Sequence, residues 1–412
     1  MASMKLVYLA SEYPGISHTF IFREIQTLRG MGFEVHTTSI RRPEHLSRMT
    51  AVEHEDALKT FYIKDSSLLS LGRSHYRLLK ERPWRYLCML VGALAFGRRG
   101  PKSLFKGLAY FAEAGLLIDW MRREKQVDHV HVHFANPAAT VAMIAGLYGK
   151  VDFSMSVHGP DIFYNVEENL LADKVKRATF VRCISYYCQS QLMRLVPHSC
   201  WSKFAIVRCG VDPSVFTPRP EPTNTAAEIL CVGRLVPAKG QHVLIDACSR
   251  LKAEGIPFHL TFVGGGDDRD SLAALARQLG IAENVTFTGA VGQDEVHACY
   301  DQADVFVLAS FAEGVPVVLM EAMAKEIPCI STRITGIPEL IDDGVDGLLV
   351  APSNAEELAQ QLTRLLRDPE RRKTLGRNGR IKVLKQYHLD ENCRGMAELF
   401  SFALNTPDRT GE

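Results

Sequence analysis

The chain has 412 residues, which is more than one hydrophobic core usually serves, so we expect two domains of ordinary size. Apolar residues make up 46% and charged residues 23% of the chain, a balance that excludes long disordered, fibrous or coiled-coil regions. The formal net charge of +1 excludes a surface built to coat nucleic acid, so any bound anion must be met by locally placed cations.

The N-terminus and the cysteines predict a cytoplasmic protein. Residues 1–10 contain one lysine and a short apolar run that leads into a polar turn, unlike a signal peptide. The longest apolar run, residues 87–96, has about half the length that crosses a bilayer. The ten cysteines include no C-x-x-C pair, and several lie in strand-like runs, which is typical of reduced thiols.

Short apolar runs alternate with amphipathic helical stretches along the chain, which predicts two parallel sheets, each wrapped by helices. The predicted strands of the first half are residues 5–9, 34–39, 130–134, 153–157 and 180–184. Those of the second half are residues 229–232, 259–263, 285–288, 305–308, 328–331 and 347–350.

The two halves are joined by residues 209–222, whose four prolines and one glycine exclude a continuous helix or a central strand. We interpret this segment as a linker. The first domain is then predicted over residues 1–210 and the second over residues 223–390. A last amphipathic stretch within residues 391–412 is expected to form a helix that packs back on the first domain.

Two loops of the first half carry candidate site residues. His158 follows the predicted strand 153–157 and precedes Gly159, and its imidazole can donate or accept a hydrogen bond near neutral pH. The alternative is a packed histidine that is satisfied by backbone groups. Gly15 lies in the loop after the first predicted strand, where it either lets backbone amides reach a ligand or only serves a turn.

In the second half, Arg234 and Lys239 flank one loop that follows the predicted strand 229–232. Open α/β sheets bind their ligands at this carboxyl edge. A forked guanidinium and a compact ammonium a few ångströms apart suit a diphosphate. The alternative is a pair of solvated surface cations.

Two glutamates follow the predicted strand 305–308. Glu313 is expected in the loop and Glu321 on the helix behind it, so both can face one pocket. Gly314 lets the backbone approach a ligand, and free N–H groups at a helix start favour an anion such as phosphate. The alternative is that Glu313 caps the helix and Glu321 lies on its surface.

Three motifs occur in order in the second half: G-R-L-x-x-x-K-G at residues 233–240, a V-G-x-G-like segment at 263–266, and E-x7-E at 313–321. Together they resemble the retaining glycosyltransferases of family 4, and the resemblance covers nearly the whole chain. It implies the α/β fold called GT-B, in which two Rossmann-like parallel-sheet domains face each other across a cleft. The segments S-H-T-F-I-F-R-E-I at 17–25 and H-V-H-F at 131–134 resemble bacterial enzymes of exopolysaccharide assembly, of the colanic acid type.

The resemblance also implies roles for the candidate residues. Arg234 and Lys239 would bind the donor diphosphate, Glu313 the donor sugar hydroxyls and Glu321 the ribose. His158 would lie beside the sugar, so that the implied catalytic set is His158, Arg234, Lys239 and Glu313.

Further donor contacts are implied for backbone and small residues. Gly15 would line the opposite side of the donor, and the backbone from Gly289 to Val291 would meet the nucleobase. Gly264, Gly314, Val315 and Val317 complete the implied donor set. Many family members have a glycine at the position of Pro316, and since proline lacks an N–H, phosphate contacts must come from Gly314, Val315 or Val317.

The implied reaction is front-face displacement, with the sugar passing from a nucleotide diphosphate donor, UDP-sugar favoured, to a saccharide or lipid-linked saccharide. Negative charge grows on the departing diphosphate, so cations that bind it more tightly in the transition state accelerate the reaction. No cofactor and no metal are required. Three alternatives stay open: a nucleotide-sugar epimerase of the same architecture, a transferase with a small soluble acceptor, and a non-enzymatic nucleotide-binding subunit.

Two clusters of potential metal ligands occur in the sequence, one of aspartates and one of histidines. For both we predict that no metal is bound. Asp267 and Asp268 begin a polar stretch, but hard cations need more convergent oxygen ligands. His129, His131 and His133 alternate, so a strand would place them on one face, yet the sequence offers no evident fourth ligand.

Residues 82–111 interleave aromatic and basic side chains. Such an amphipathic segment suits an anionic membrane surface, which predicts peripheral contact with the inner face of the cytoplasmic membrane. The equally weighted alternative is an ordinary helix core from which the cations extend outward.

Overall fold

The computed structural model of the chain describes residues 4–15, 19–44, 49–96, 101–127, 129–149, 151–220 and 226–405. The chain divides into two compact units. The first consists of Met1–Val207 together with Cys393–Glu412, and the second of Arg208–Asn392.

The segment predicted to be a linker belongs to the second unit as far as it is described. Val211 is fully buried, its N–H donates to the Tyr387 carbonyl at 2.9 Å, and it forms a parallel β-bridge with His388. Residues 221–222 of the predicted linker lie outside the described residues. The change of unit along the chain therefore falls between Val207 and Arg208, because the proline-rich segment is held by packing and hydrogen bonds.

The first unit is built on a sheet of seven strands, all paired in parallel, in the spatial order β3-β2-β1-β4-β5-β6-β7. The strands are β1 (Lys5–Glu12), β2 (Glu34–Arg41), β3 (Phe61–Tyr62), β4 (His129–His133), β5 (Asp152–Val157), β6 (Val181–Cys183) and β7 (Phe204–Ile206). The five predicted strands are confirmed. The sequence interpretation missed β3 and β7 because these edge strands have only two and three residues.

Helices cover this sheet: α1 (Thr19–Gly30), α2 (Ala51–Lys59), α3 (Leu68–Glu81), α4 (Pro83–Phe96), α5 (Pro101–Trp120), α6 (Pro137–Leu147), α7 (Gly159–Phe163), α8 (Leu171–Arg177) and α9 (Tyr186–Leu195). Helix α6 is buried along most of its length, because its sequence is apolar on every side. The Asn136 side chain caps its first turn by accepting from the Ala138 N–H at 3.0 Å.

The second unit contains six parallel strands in the order β10-β9-β8-β11-β12-β13. They are β8 (Ala227–Val232), β9 (Phe258–Val263), β10 (Val285–Gly289), β11 (Val305–Leu308), β12 (Cys329–Thr332) and β13 (Leu348–Val350), and all six were predicted. The helices are α10 (Gln241–Ala253), α11 (Arg269–Gln278), α12 (Gln293–Gln302), α13 (Val317–Ala324), α14 (Ile337–Leu340), α15 (Ala355–Arg367) and α16 (Pro369–Gln386).

The last helix, α17 (Leu389–Asn405), passes from the second unit into the first. Met396 and Phe400 are fully buried in the core of the first unit, where they join Leu6, Ile25 and Phe180. Residues 406–412 of the predicted terminal segment lie outside the described residues. Within the described ranges, no helix combines the length and the apolar character needed to cross a membrane.

Each sheet has one point at which the strand order reverses. In the first sheet this point lies between β1 and β4, and in the second between β8 and β11. Loops that leave the carboxyl ends of such neighbouring strands diverge to opposite faces and leave a crevice for a ligand. The loops after β8 and β11 carry Arg234, Lys239 and Glu313, so the topology places the predicted cations and the first acid at one point.

Candidate functional site

The centre of the candidate site in the second unit is an ion pair between Lys239 and Glu313. Lys239 ends a short 3-10 turn in the loop after β8, and Glu313 lies in the loop after β11. The Lys239 Nζ and the Glu313 Oε1 are 2.5 Å apart, and the two side chains are 19% and 9% exposed. The structure therefore brings together two predicted residues that are 74 positions apart.

Two hydroxyl side chains fix Glu313. The Ser310 Oγ donates to the Glu313 Oε1 at 2.7 Å, and the Thr335 Oγ1 donates to the Glu313 carbonyl oxygen at 2.6 Å. The Thr332 Oγ1 in turn donates to the Ser310 carbonyl at 2.7 Å. The sequence interpretation missed all three hydroxyl residues. The only signal was a serine between the strand end and the acid, which is too common to assign.

The loops after β8 and β11 are bound to each other through their backbones. The Phe311 N–H donates to the Ala238 carbonyl at 2.8 Å. Gly240 has φ +61°, and a Cβ at this position would lie 2.1 Å from the Ala309 carbonyl oxygen. Only glycine therefore fits beside Lys239, which gives the K-G dipeptide a packing reason.

Gly264 plays a similar part in the loop after β9. Its φ is +139°, and a Cβ would lie 2.1 Å from the Gly233 carbonyl oxygen. The Gly264 N–H donates to the Gly289 carbonyl oxygen at 2.9 Å. The structure thus assigns Gly264 a backbone-packing role, and it places Gly289 at the same edge of the sheet with the half-buried Val291 just beyond it.

Arg234 lies in the same loop as Lys239 but has a different environment. Its side chain is exposed, and the Gln241 Nε2 donates to its carbonyl oxygen at 2.9 Å. Among the residues that the structure describes, no carboxylate forms an ion pair with the Arg234 guanidinium. The guanidinium is therefore available to an anion, whereas Lys239 already has Glu313.

The second predicted acid, Glu321, is held by a separate partner. It is the fifth residue of α13 and is 7% exposed. The Tyr300 hydroxyl, from α12, donates to its Oε2 at 3.1 Å. The two acids therefore have different neighbours, and Tyr300 is a site residue that the sequence interpretation missed.

Gly314 and Val315 lie in the loop that leads into α13, and Pro316 is the N-cap residue of that helix. The first backbone N–H groups of a helix have no acceptor within the helix. The N–H of Val317, the first residue of α13, is one of these groups. Proline at the N-cap removes one donor from this end. The phosphate contacts implied for Gly314, Val315 and Val317 stay a prediction.

His158 in the first unit lies at the end of β5 and is the N-cap residue of α7. It is 5% exposed, and its backbone N–H donates to the Asp161 Oδ2 at 2.8 Å. Its Nε2 lies 3.3 Å from the Nδ1 of His133, and the ring of Phe134 packs 4.6 Å away, centroid to centroid. His158 thus follows a strand at the carboxyl edge of the sheet and is packed against another histidine, and its contact with a ligand stays a prediction.

The buried Lys174, on α8, is hydrogen-bonded to the loop that follows β4. The Lys174 Nζ donates to the carbonyl oxygens of Ala135 and Asn136 at 2.7 and 2.8 Å. Burial lowers the pKa of Lys174 to about 7, and it raises the pKa of Asp161 to about 7. In each residue the opposite charge of the other acts against burial and makes the shift smaller. Neither Lys174 nor Asp161 lies in a sequence motif from which its buried position could be predicted.

The three alternating histidines of β4 lie in a buried polar layer. The His131 ring nitrogens are each 2.8 Å from a hydroxyl, of Ser154 and Ser156, and the His129 Nε2 is 2.8 Å from the Ser154 hydroxyl. Burial lowers the pKa of His129 to about 4. The sequence interpretation foresaw the shared face but not the serines that satisfy the rings.

Three atoms of this layer, from Glu24, His131 and His133, lie within 4.8 Å of one another. The Arg182 Nη1, however, donates to the Glu24 Oε2 at 2.5 Å, and Arg182 is 1% exposed. A metal ion among these atoms would meet the guanidinium charge and would have to displace hydrogen bonds that are already formed. The donor set therefore does not fit a metal ion.

Gly15 lies at the carboxyl edge of the first sheet, after β1 and a cis peptide bond between Tyr13 and Pro14. Its side of the loop continues into residues 16–18, which are outside the described residues, as are Ser17 and His18 of the narrower resemblance. The role implied for Gly15 stays a prediction.

A separate surface of the first unit, which we call the α4–α5 surface, exposes apolar side chains at helical spacing. Trp84, Leu87 and Val91 on α4 are 75%, 45% and 61% exposed, and Phe105 and Leu108 on α5 are 73% and 41% exposed. Met89 and Ala93 form the buried side of α4. Helix α4 thus has an exposed apolar side as well as a buried one, and contact with a membrane stays a prediction.

Comparison with known proteins agrees with this geometry. Residues 217–382 match the family model described as glycosyl transferases group 1. WcaL of Salmonella typhimurium, which carries the name of a colanic acid biosynthesis glycosyltransferase, is 30% identical over 96% of this chain and 99% of that protein. The chain belongs to the group 1 glycosyltransferases. Its matched residues contain the Lys239–Glu313 pair and Arg234.

Two further similarities bear on this glycosyltransferase. A GDP-mannose-dependent alpha-(1-6)-phosphatidylinositol monomannoside mannosyltransferase of Mycobacterium tuberculosis is 29% identical, over 68% of this chain and 77% of that protein. The crystal structure of Anabaena Alr3699/HepE in complex with UDP-glucose matches with a TM-score of 0.75 and 17% identity, over 97% of this chain and 100% of that chain. The fold is GT-B, with two parallel-sheet α/β domains.

Proposed function

We propose that this glycosyltransferase retains the anomeric configuration, needs no metal, and transfers a sugar from a nucleotide diphosphate donor to a hydroxyl acceptor. The observation that carries the proposal is the Lys239–Glu313 pair at the strand-order reversal of the second sheet. Arg234 lies in the same loop as Lys239, and within the described part of the chain no carboxylate forms an ion pair with its exposed guanidinium. Two cations and a buried acid at this point suit a diphosphate with a sugar attached.

The proposed chemistry rests on the two cations. The bond from the sugar to the diphosphate breaks, the acceptor oxygen bonds the sugar from the same side, and negative charge collects on the departing diphosphate, one oxygen of which takes the hydroxyl proton. Arg234 and Lys239 stabilise that charge, and because they are held by fixed loops they need little reorganisation. Lys239 exchanges part of its contact with Glu313 for the phosphate, which leaves Glu313 free to accept from a sugar hydroxyl.

The other proposed roles are contacts to the rest of the donor. Glu321 binds the ribose, the backbone from Gly289 to Val291 meets the nucleobase, and His158 contacts the donor sugar. A UDP-sugar is the favoured donor. The Anabaena structure contains UDP-glucose and the mycobacterial relative is named for GDP-mannose, so the test must include both nucleobases.

A panel of UDP- and GDP-sugars tests the donor proposal. One sugar nucleotide is expected to raise the melting temperature, since a ligand at a hundred times its Kd stabilises by about 2.7 kcal/mol. The shift is expected to disappear in Lys239→Ala and to persist in Lys373→Ala, which removes a lysine on α16 that pairs with the exposed Glu370.

Product analysis with the same donor separates the reaction classes. Transfer releases the nucleotide diphosphate in proportion to an added acceptor. Interconversion of the sugar nucleotide without acceptor would identify an epimerase, and binding without turnover for any acceptor would identify a nucleotide-binding subunit. Either result would overturn the proposed reaction.

We further propose that the acceptor is a saccharide or lipid-linked saccharide of bacterial exopolysaccharide or glycolipid synthesis, reached at the inner face of the cytoplasmic membrane. The α4–α5 surface supports this. Residues 82–112 contain six basic residues and no acid, although the whole chain has a net charge of only +1. Exposed Trp84 and Phe105 on such a basic segment suit an anionic lipid surface. Arg98 and Arg99, and the side chain of Lys102, lie outside the described residues.

Vesicle co-sedimentation tests the membrane proposal. Wild-type protein is expected to bind vesicles of phosphatidylcholine with phosphatidylglycerol, and to bind pure phosphatidylcholine less. The double variant Trp84→Ser/Phe105→Ser is expected to bind at least about tenfold more weakly, since burying one large apolar side chain is worth about 1.5–3 kcal/mol. Ile381→Ser removes an equally exposed apolar side chain, 64% exposed, from the second unit and serves as the control. Equal binding by the double variant would contradict the proposal, and a loss of dimers instead would identify the surface as a contact between copies of the chain.

A further inference from the structure

A line of three side chains leads from His158 into the core of the first unit. The His158 Nε2 is 3.3 Å from the His133 Nδ1, and the His133 Nε2 is 3.1 Å from the Glu24 Oε1. All three residues are at most 5% exposed. His158 follows β5, His133 is the last residue of β4, and Glu24 lies in the middle of α1, the helix that follows β1. The strand order of this sheet reverses between β1 and β4.

The inner end of this line is an ionised carboxylate. Burial would raise the pKa of Glu24, but the charge of Arg182 outweighs burial and holds this pKa well below its usual range. The Arg182 guanidinium bonds the Glu24 Oε2, and the Tyr8 hydroxyl donates to the Oε1 at 2.9 Å. A carboxylate has no proton to donate, so the hydrogen atom in the contact with His133 belongs to the His133 Nε2.

As long as the His133 ring is neutral, this assignment fixes the neighbouring ring as well. In a neutral His133 the Nε2 carries the proton and the Nδ1 is an acceptor. The His158 Nε2 must then donate, which makes His158 the Nε2–H tautomer. His131 does not compete for either contact, because its own nitrogens bond Ser154 and Ser156.

We propose that Glu24 and His133 are positioning residues that fix the ring orientation and the Nε2–H tautomer of His158 for its contact with the donor sugar. The inference rests on the proposed function of His158. It adds two residues that act through His158 without touching substrate. Glu24 belongs to the segment from Ser17 to Ile25 and His133 to the motif H-V-H-F, so both segments would serve to position His158.

The first test needs no substitution. In protein labelled with ¹⁵N-histidine, the ring nitrogens of His158 and His133 report directly which of them carries a proton. We expect the Nε2 of both residues to be protonated and the Nδ1 of both to be unprotonated. A His158 ring with its proton on Nδ1 would overturn the inference, whatever the activity of the protein.

The second test is kinetic and has a matched control. His133→Phe keeps the size of the ring and leaves Glu24 bonded to Arg182 and Tyr8, so the fold should survive. It is expected to lower kcat by about tenfold to a hundredfold with little change in the donor KM, as misplacement of a contact group does. His129→Phe makes the same change two residues earlier in β4, where the ring contacts Ser154 and not His158, and should leave kcat within about twofold.

His158→Ala separates this inference from the proposed function. If His158→Ala lowers kcat and His133→Phe does not, the positioning role is wrong and the proposed role of His158 stands. If His158→Ala is fully active, the proposed role of His158 itself fails. Equal losses in His133→Phe and His129→Phe would show a general effect of the polar layer and would also overturn the positioning role.

Discussion

Lys239→Ala is expected to lower turnover at saturating donor by about a hundredfold or more, as the loss of one strong contact to a charge that develops in the transition state does. The ammonium lies 2.5 Å from the Glu313 carboxylate, and the Lys239 side chain is 19% exposed. The substitution removes a cation from the departing diphosphate and also leaves Glu313, which is 9% exposed, without its partner.

Steady-state kinetics with varied donor measure this loss. A lower kcat is expected rather than only a higher KM, because the contact strengthens as the bond to the diphosphate breaks. Lys373→Ala is the control for the removal of a lysine, and Lys239→Arg separates the charge from the shape of the donor group. Unchanged kcat in Lys239→Ala would remove the assigned role of Lys239.

Arg182→Met is expected to have the largest effect on stability. The guanidinium is 1% exposed, bonds the buried Glu24 carboxylate, and donates from its Nε to the Val207 carbonyl at 2.8 Å. Removing one partner of a buried pair leaves an uncompensated charge, which typically costs about 3–5 kcal/mol. The first unit should therefore unfold at a much lower denaturant concentration.

Tryptophan fluorescence can follow this unit selectively, because the three tryptophans of the chain, Trp84, Trp120 and Trp201, all lie in it. Arg364→Met, an exposed position on α15, is the control for the loss of an arginine. The double variant Arg182→Met/Glu24→Gln should recover part of the lost stability, since it removes the unpaired charge. If Arg182→Met lowered the free energy of unfolding by less than about 1 kcal/mol, the Arg182–Glu24 pair would contribute no more than an exposed ion pair does, which would contradict this prediction.

The sheets were predictable from sequence where their strands are buried on both faces. Strand β11, for example, is a continuous apolar run, and such runs are typical of central parallel strands. Strands β3 and β7 lie at the edges and are too short to form a pattern. The prolines after Cys209 exclude regular structure, but they do not show whether a segment such as that around the buried Val211 packs on its neighbours.

The candidate site was predictable where a residue lies in the loop that follows a strand end. Lys239, Glu313 and His158 carry that signal, and the topology brings the first two into contact. Partners that come from distant parts of the chain carry no such signal in the sequence. Arg182 contacts Glu24, which is 158 positions away in the sequence, and Thr335 contacts Glu313, which is 22 positions away. Such partners are chosen by tertiary packing, which a local pattern does not encode.

A crystal structure with the stabilising sugar nucleotide bound tests the central claim most directly. The claim predicts diphosphate oxygens at about 3 Å from the Lys239 Nζ and from the Arg234 guanidinium, with a sugar hydroxyl on the Glu313 carboxylate. A diphosphate bound elsewhere, with the Lys239–Glu313 pair intact and Arg234 in solvent, would contradict it.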